Sequence, residues 1–206
     1  MTPQQRQEIA RLFAALEYGE QLAHHCALQQ SKWVGANTER RFLRAQARQE
    51  ALHASLFRRA AEWLAPKQRY DVPAPLREFG ERVQRACARD DLTETLVGSQ
   101  VVLEGFGEEI LTRLNRGMDH QRIGFARQRN LILRQERSHH AFGLHAVRRH
   151  VEQGLTTPEH VRSLAADFLD LSQRMAQDMA SVFVALDEDA DAYFRALTQK
   201  LPSWLV

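Results

Sequence analysis

The chain has 206 residues, and its 28 Lys+Arg against 26 Asp+Glu leave a formal net charge of +2. That balance provides no dominant basic face for a dedicated nucleic-acid binder. A 44% hydrophobic content without low-complexity tracts excludes a disordered chain. The two cysteines, Cys26 and Cys87, are too few for a disulfide framework. The opening Met1-Thr2-Pro3-Gln4-Gln5-Arg6 has no signal-peptide form, and no apolar run nears the ~20 residues of a bilayer span. The expectation is a cytoplasmic protein folded as one domain over residues 1–206.

The dominant period is helical. From Pro3 to about Gln30, apolar residues recur at Ile9, Leu12, Phe13, Leu16, Ala23 and Ala27, with Thr2 and Pro3 as cap and first residue. Gly35 and Asn37 mark a connection. A second helix is predicted from Thr38 to Ala65, with Phe42, Leu43, Leu56, Phe57, Ala60 and Leu64 on one side and Pro66 as its stop. Pro73 and Pro75 interrupt the next stretch, and Leu76–Ala88 reads as a helix crossing the molecule. A third long helix is predicted over Leu92–Asn115, ending near Gly117, and a fourth over His120–Gln153, ending at Gly154. Thr157-Pro158 opens a fifth, striped by Val161, Leu164, Phe168, Leu171, Met175, Met179 and Val182, and a short helix over Asp189–Lys200 follows. No segment alternates with period two long enough for a strand. The predicted fold is all-α: a four-helix bundle over 3–153 with one long crossover between helices 2 and 3, and extra C-terminal helices over 154–206 packed on it.

The informative positions are polar residues on apolar faces. Glu50 and His53 lie beside Leu43, Leu56 and Phe57 on the second helix, and Glu136 and His139 repeat the step beside Ile132, Gly143 and Ala146 on the fourth. Each Glu-x-x-His pair has a carboxylate on the preceding helix. Glu104 falls among Val97, Leu111 and Leu114 on the third. On the first, Glu20 lies at the middle of the buried stripe between Leu16 and Ala23, whereas Glu17 is rotated roughly 60° toward its edge. Glu20 is therefore chosen on angle. Four inward carboxylates on facing helices either stay protonated or share cations. Carboxylate oxygens with imidazole nitrogens suit iron or manganese, and a Glu from two helices with Glu-x-x-His from two others is a dimetal bundle pattern.

These residues resemble the ferritin-like di-iron carboxylate superfamily over about residues 3–153. Tyr18-Gly19-Glu20-Gln21-Leu22-Ala23-His24 is similar to the first-helix motif of rubrerythrins and aldehyde-deformylating oxygenases. Val102-Leu103-Glu104-Gly105-Phe106 is similar to the oxygenases' third-helix motif, and Glu136-Arg137-Ser138-His139 resembles the last ligand pair of both. There is no Cys-x-x-Cys tail, so a complete rubrerythrin is excluded. The resemblance implies metal ligands Glu20, Glu50, His53, Glu104, Glu136 and His139 holding two Fe, or Mn with Fe. It implies an O2-activating oxidase or oxygenase acting on a small-molecule or acyl-type substrate, fed by an electron donor, as a monomer or small homo-oligomer. The alternative is iron oxidation for storage or peroxide detoxification, against which the C-terminal extension and Arg-rich surface argue. A binding bundle that keeps the ligands without turnover is the third reading.

Other polar residues carry two readings each. Glu108 and His140 are extra ligands or hydrogen-bonding partners of ligands, or a half-buried pair at the bundle edge. His24 could face the site but reads as solvent-exposed, while His145 and His150 read as surface or structural residues. Cys26 and Cys87 have no pairing logic and read as small buried apolar groups. Met175 and Met179 read as packing, or as the lining of an apolar channel. Gly105, Gly107 and Gly143 mark close helix packing or room for a substrate. Arg40-Arg41, Arg58-Arg59 and Arg148-Arg149 read as a solvated face, with RNA docking the minor alternative.

Overall fold

A computed structural model describes residues 1–119 and 126–205. Helix α1, Pro3–Trp33, opens with a reciprocal cap: the Gln5 amide donates to Thr2 Oγ1 at 3.1 Å and the Thr2 amide to Gln5 Oε1 at 2.8 Å. This satisfies two otherwise unpaired backbone donors, and Pro3 fills the first helical position, where no amide hydrogen is needed. A short connection through Gly35 turns the chain into α2, Asn37–Leu64, which packs along the length of α1 as an antiparallel hairpin. Helix α3, Ala74–Ala88, crosses from this hairpin and packs on α1.

The second half begins at Asp91, whose carboxylate accepts the Glu94 amide at 2.9 Å. The predicted third helix is not uniform. A first turn, α4 (Leu92–Thr95), runs into a π-helical stretch, Leu96–Leu103, and then into α5, Glu104–Asp119. The wider winding inserts an extra residue, so the phase counted at 3.6 residues per turn does not carry through it. Helix α6, Ala126–Glu152, packs on both the π stretch and α5. Gly154 at φ +68° ends it with the Leu155 amide bonded back to His150 O at 2.9 Å, a backbone conformation glycine adopts without a Cβ penalty. The expected fourth-helix start at His120, and the side chain of Leu114, lie outside what is described.

After Gly154, α7 (Pro158–Asp178) lies against α3 and the π stretch. The predicted fifth helix breaks at Met179, and α8 (Ala180–Ala185) and α9 (Ala190–Lys200) complete the chain. The break was invisible in the apolar stripe because Met175, Met179 and Val182 are all buried on both sides of it. The described residues are helical with no strand among them, in the predicted all-α arrangement. Among them no helix is long and apolar enough to cross a membrane.

Gly98 and Gly143 are among the glycines that admit the close approach of neighbouring helices. A Cβ on Gly98 would lie 2.6 Å from the Phe168 ring, and one on Gly143 would lie 2.5 Å from Gln100 Cβ and 3.1 Å from its backbone carbon. Gly143→Ala is therefore expected to lower stability by about 1–3 kcal/mol, the usual range for overpacking a rigid contact. A depressed thermal unfolding midpoint relative to Gly35→Ala, where no atom lies within 4 Å, would show it.

Candidate metal centre

Four helical segments deliver six ionisable side chains to one point. Glu20 comes from α1, Glu50 and His53 from α2, Glu104 from the first residue of α5, and Glu136 and His139 from α6. All six are buried, Glu50 completely. They form two overlapping groups, Glu20–Glu50–His53–Glu136 and Glu50–Glu104–Glu136–His139, each with its potential ligand atoms within 4.8 Å of one another. Glu50 and Glu136 belong to both groups.

Both imidazoles turn Nδ1 inward. His53 Nδ1 lies 3.3 Å from Glu20 Oε2, 3.0 Å from Glu50 Oε2 and 3.1 Å from Glu136 Oε1. His139 Nδ1 lies 2.9 Å from Glu50 Oε1 and 3.7 Å from Glu104 Oε2. Of these contacts, only that of His53 Nδ1 with Glu20 Oε2 is a hydrogen bond. Both Glu50 oxygens, Glu136 Oε1 and His139 Nδ1 are buried without a properly oriented hydrogen-bond partner. Burial pushes Glu20 up to about 8 despite the adjacent His53, and it drives Glu136 well above the carboxylate range, with Glu104 and Glu20 adding repulsion. Burial also raises Glu50, but His139 and His53 outweigh it and hold Glu50 at about 2. Burial lowers His139, but Glu104 and Glu50 outweigh it and bring it to about 10.

Elsewhere a buried carboxylate obtains a cation from the protein. Glu94 receives Arg82 Nε at 2.8 Å and Arg89 Nη2 at 2.6 Å. Among the described residues no Arg or Lys pairs with any of the six, and inward-facing oxygens without partners together with imidazole nitrogens are what a hard-to-borderline divalent cation binds. The residues present fit such an ion in each group.

Glutamines surround the six. Gln46 Nε2 donates to Glu104 Oε1 at 2.8 Å, and behind it Gln100 Nε2 reaches Gln46 Oε1 at 3.4 Å and Gln30 Oε1 at 2.6 Å. The imidazole Nε2 atoms lie 2.8 Å from glutamine oxygens, His53 on Gln135 and His139 on Gln49. Sequence reasoning missed all five. A signal existed for two of them, since Gln49 and Gln135 each stand immediately before the Glu of a Glu-x-x-His pair.

The remaining sequence candidates lie outside the two groups. Glu108 accepts Arg137 Nε at 3.1 Å and Lys200 Nζ at 3.1 Å, and His140 Nδ1 bonds Val101 O at 2.9 Å in the π stretch. Glu17 is half-buried and accepts Gln21 Nε2 at 3.0 Å. His24, expected at the site or in solvent, instead ties α1 to Ala47 O of α2 at 2.6 Å. His150 bonds Thr93 Oγ1 at 2.9 Å, and His145 is exposed. Cys26 and Cys87 are free and buried, as read from the sequence, but they are neighbours. α1 and α3 bring the free thiols into contact, and Cys87 together with burial pushes the Cys26 thiol up. Of the arginine clusters, Arg149 pairs with Glu39 and Arg148 with Glu152.

A narrow cavity of about 60 Å³ reaches this centre between α1, α5 and α7. Its walls are apolar, with Leu12, Leu16, Phe106 and Ile110 among them, and Glu20, Glu104 and Glu136 lie on its surface. Met175 and Met179 line it, as the channel reading of that stripe required. The glycines divide between their two readings: Gly107 lines the cavity, whereas Gly105 and Gly143 admit close packing.

No family model and no curated protein sequence matches the chain. Its structure does have a solved counterpart. The helices superpose on Protein 19 with aldehyde deformylating oxidase activity from Synechococcus with a TM-score of 0.80, covering 96% of this chain and 88% of that one at 19% identity. The chain thus has the ferritin-like helical-bundle fold, and within it a buried carboxylate–imidazole cluster able to bind metal.

Raised proton affinities make the metal-free protein sensitive to alkali. Glu20 binds its proton up to about 8 in the fold against 4.5 ordinarily, and His139 up to about 10 against 6.5. In both cases the folded state holds a proton that the unfolded chain has released, so stability present at low pH is lost as pH rises through the two windows. Chelator-treated protein is expected to unfold at a lower temperature at pH 9 than at pH 6, with a smaller difference once metal is restored. Equal midpoints in the chelated protein would contradict the shared-proton picture.

Proposed function

We propose that the chain is a non-haem di-iron oxidase or oxygenase acting on an apolar organic molecule with a polar, aldehyde- or acyl-type head. The observation that carries this reading is the apolar cavity ending on Glu20, Glu104 and Glu136. Glu20 with His53 would hold one metal and Glu104 with His139 the other, and Glu50 and Glu136, common to both groups, would be available to either. A bound pair, Fe/Fe or Mn/Fe, would supply the electron chemistry toward O2 that no side chain offers, refilled by an external electron donor.

The chain's own contribution is placement and exclusion. Leu12, Leu16, Phe106 and Ile110 keep water from the carboxylate end, and an alkyl chain lying along them brings its head to the three glutamates. Gly19 and Gly107 leave that wall open where a side chain would stand. Met175 and Met179 give the narrow cavity a wall that can adapt, because the thioether side chain is unbranched and has three rotatable bonds. The activity in the counterpart's name supports an aldehyde-type head.

Iron titration with O2 uptake tests this. Binding is expected to saturate near two Fe2+ per chain in a monomer or small oligomer, and reduced protein is expected to consume O2 in coupled fashion only with an apolar substrate present. Glu50→Ala or His139→Ala should lose most of the bound metal, Glu20→Ala should lose more than Glu17→Ala, and Ala15→Phe should shift preference to shorter chains while metal is retained. Oxidation of many Fe2+ equivalents per chain within a large shell would replace this reading with storage.

A further inference from the structure

The amide residues preceding each Glu-x-x-His pair make a crossed arrangement. Gln49-Glu50-Ala51-Leu52-His53 lies on α2 and Gln135-Glu136-Arg137-Ser138-His139 on α6. Gln49 does not serve the histidine of its own helix; its Oε1 faces His139 Nε2 at 2.8 Å, and Gln135 Oε1 faces His53 Nε2 at the same distance. The earlier glutamine of one helix meets the later histidine of the other, so the two contacts are related by an approximate two-fold axis between antiparallel helices. Both glutamines are half-buried at the rim, whereas both histidines are buried.

We infer that Gln49 and Gln135 are positioning residues for the metal centre, each fixing the tautomer and ring plane of the histidine on the opposite helix. A glutamine oxygen only accepts, so the facing Nε2 must carry hydrogen, and Nδ1 is the nitrogen left to give its lone pair to a metal on the carboxylate side, where all the inward contacts lie. Because each bond spans α2 and α6, the same contact sets the separation of the two Glu-x-x-His pairs. A metal-bound imidazole often gives its outer N–H to a carboxylate, which pulls on the proton and makes the ring a stronger donor. An amide carbonyl is neutral and pulls less. The centre is therefore tuned toward the reduced state compared with one backed by carboxylates.

This inference rests on the dimetal reading above, and the experiment separates the two. Gln49→Leu, Gln135→Leu, Gln49→Glu and Gln135→Glu are titrated with Co2+ and with Fe2+ beside the unsubstituted protein, following the Co2+ visible spectrum and the midpoint potential of the iron form. Each Leu variant is expected to bind metal about 10- to 100-fold more weakly, with an altered Co2+ spectrum. Each Glu variant, which keeps the acceptor, is expected to retain affinity while its midpoint potential falls, and the two positions should behave alike. Failure of the unsubstituted protein to bind metal would sink the dimetal reading itself. Normal binding there with unchanged affinity and spectrum in both Leu variants would overturn the positioning role alone. Should the Leu variants not fold, the Glu pair decides: an unchanged or raised potential overturns the inference.

Discussion

Packing four carboxylates and two imidazoles into the middle of a bundle, with no lysine or arginine paired to them among the described residues, is the constraint on which the rest of the structure depends. Each acid would lose its hydration on burial, and an isolated carboxylate in such surroundings stays neutral or finds a cation. The metal-free chain meets the difficulty by sharing protons: Glu20 and Glu136 hold theirs strongly, while Glu50 remains ionised between two imidazoles. The arrangement satisfies charge but not direction, because atoms of Glu50, Glu136 and His139 still lack oriented partners. A proton sits on one oxygen and leaves the others unmet, whereas a cation of higher charge can be shared by several.

Supporting elements follow from that constraint. Glu104 is placed immediately after the π stretch, and the same stretch supplies Gln100 to the amide chain that ends on Glu104 Oε1. Gln46 thereby occupies one oxygen of Glu104 and leaves Oε2 toward His139. Gly143, one turn beyond His139 on α6, lets the backbone of that helix press on Gln100. A single methyl group at this point would disturb the amide chain together with Glu136 and His139 of α6.

The helices were legible in the sequence because α1, α2 and α7 carry apolar stripes at helical spacing, with caps such as Thr2 and Thr157 to bound them. The six clustered residues were legible for the complementary reason, since each breaks an apolar stripe with a group that is costly to bury. The π stretch was not. Leu96-Val97-Gly98-Ser99-Gln100-Val101-Val102-Leu103 is buried nearly all round, so it has no polar face whose phase could drift. The break at Met179 was hidden by continuous burial, and the contact between Cys26 and Cys87 is a tertiary fact carried by no local pattern. Glu108 and His140 shared the helical face of true cluster members. Only the positions of Arg137, Lys200 and the Val101 carbonyl show that their polar groups are already engaged.

The centre has two unlike sides. Toward α2 and α6 it is closed by imidazoles whose outer nitrogens meet Gln49 and Gln135, a rigid polar backing made of short bonds between helices. Toward α1, α5 and α7 it opens on aliphatic and aromatic side chains, where the contacts are non-directional and Met175 and Met179 can adjust. Polar bonding fixes atoms to within a few tenths of an ångström, and apolar contact tolerates displacement. The centre thus joins a directional wall that holds atoms in place to a non-directional one that yields. The C-terminal segment matters in this light, because Met175 of α7 and Met179 just after it form the adaptable wall.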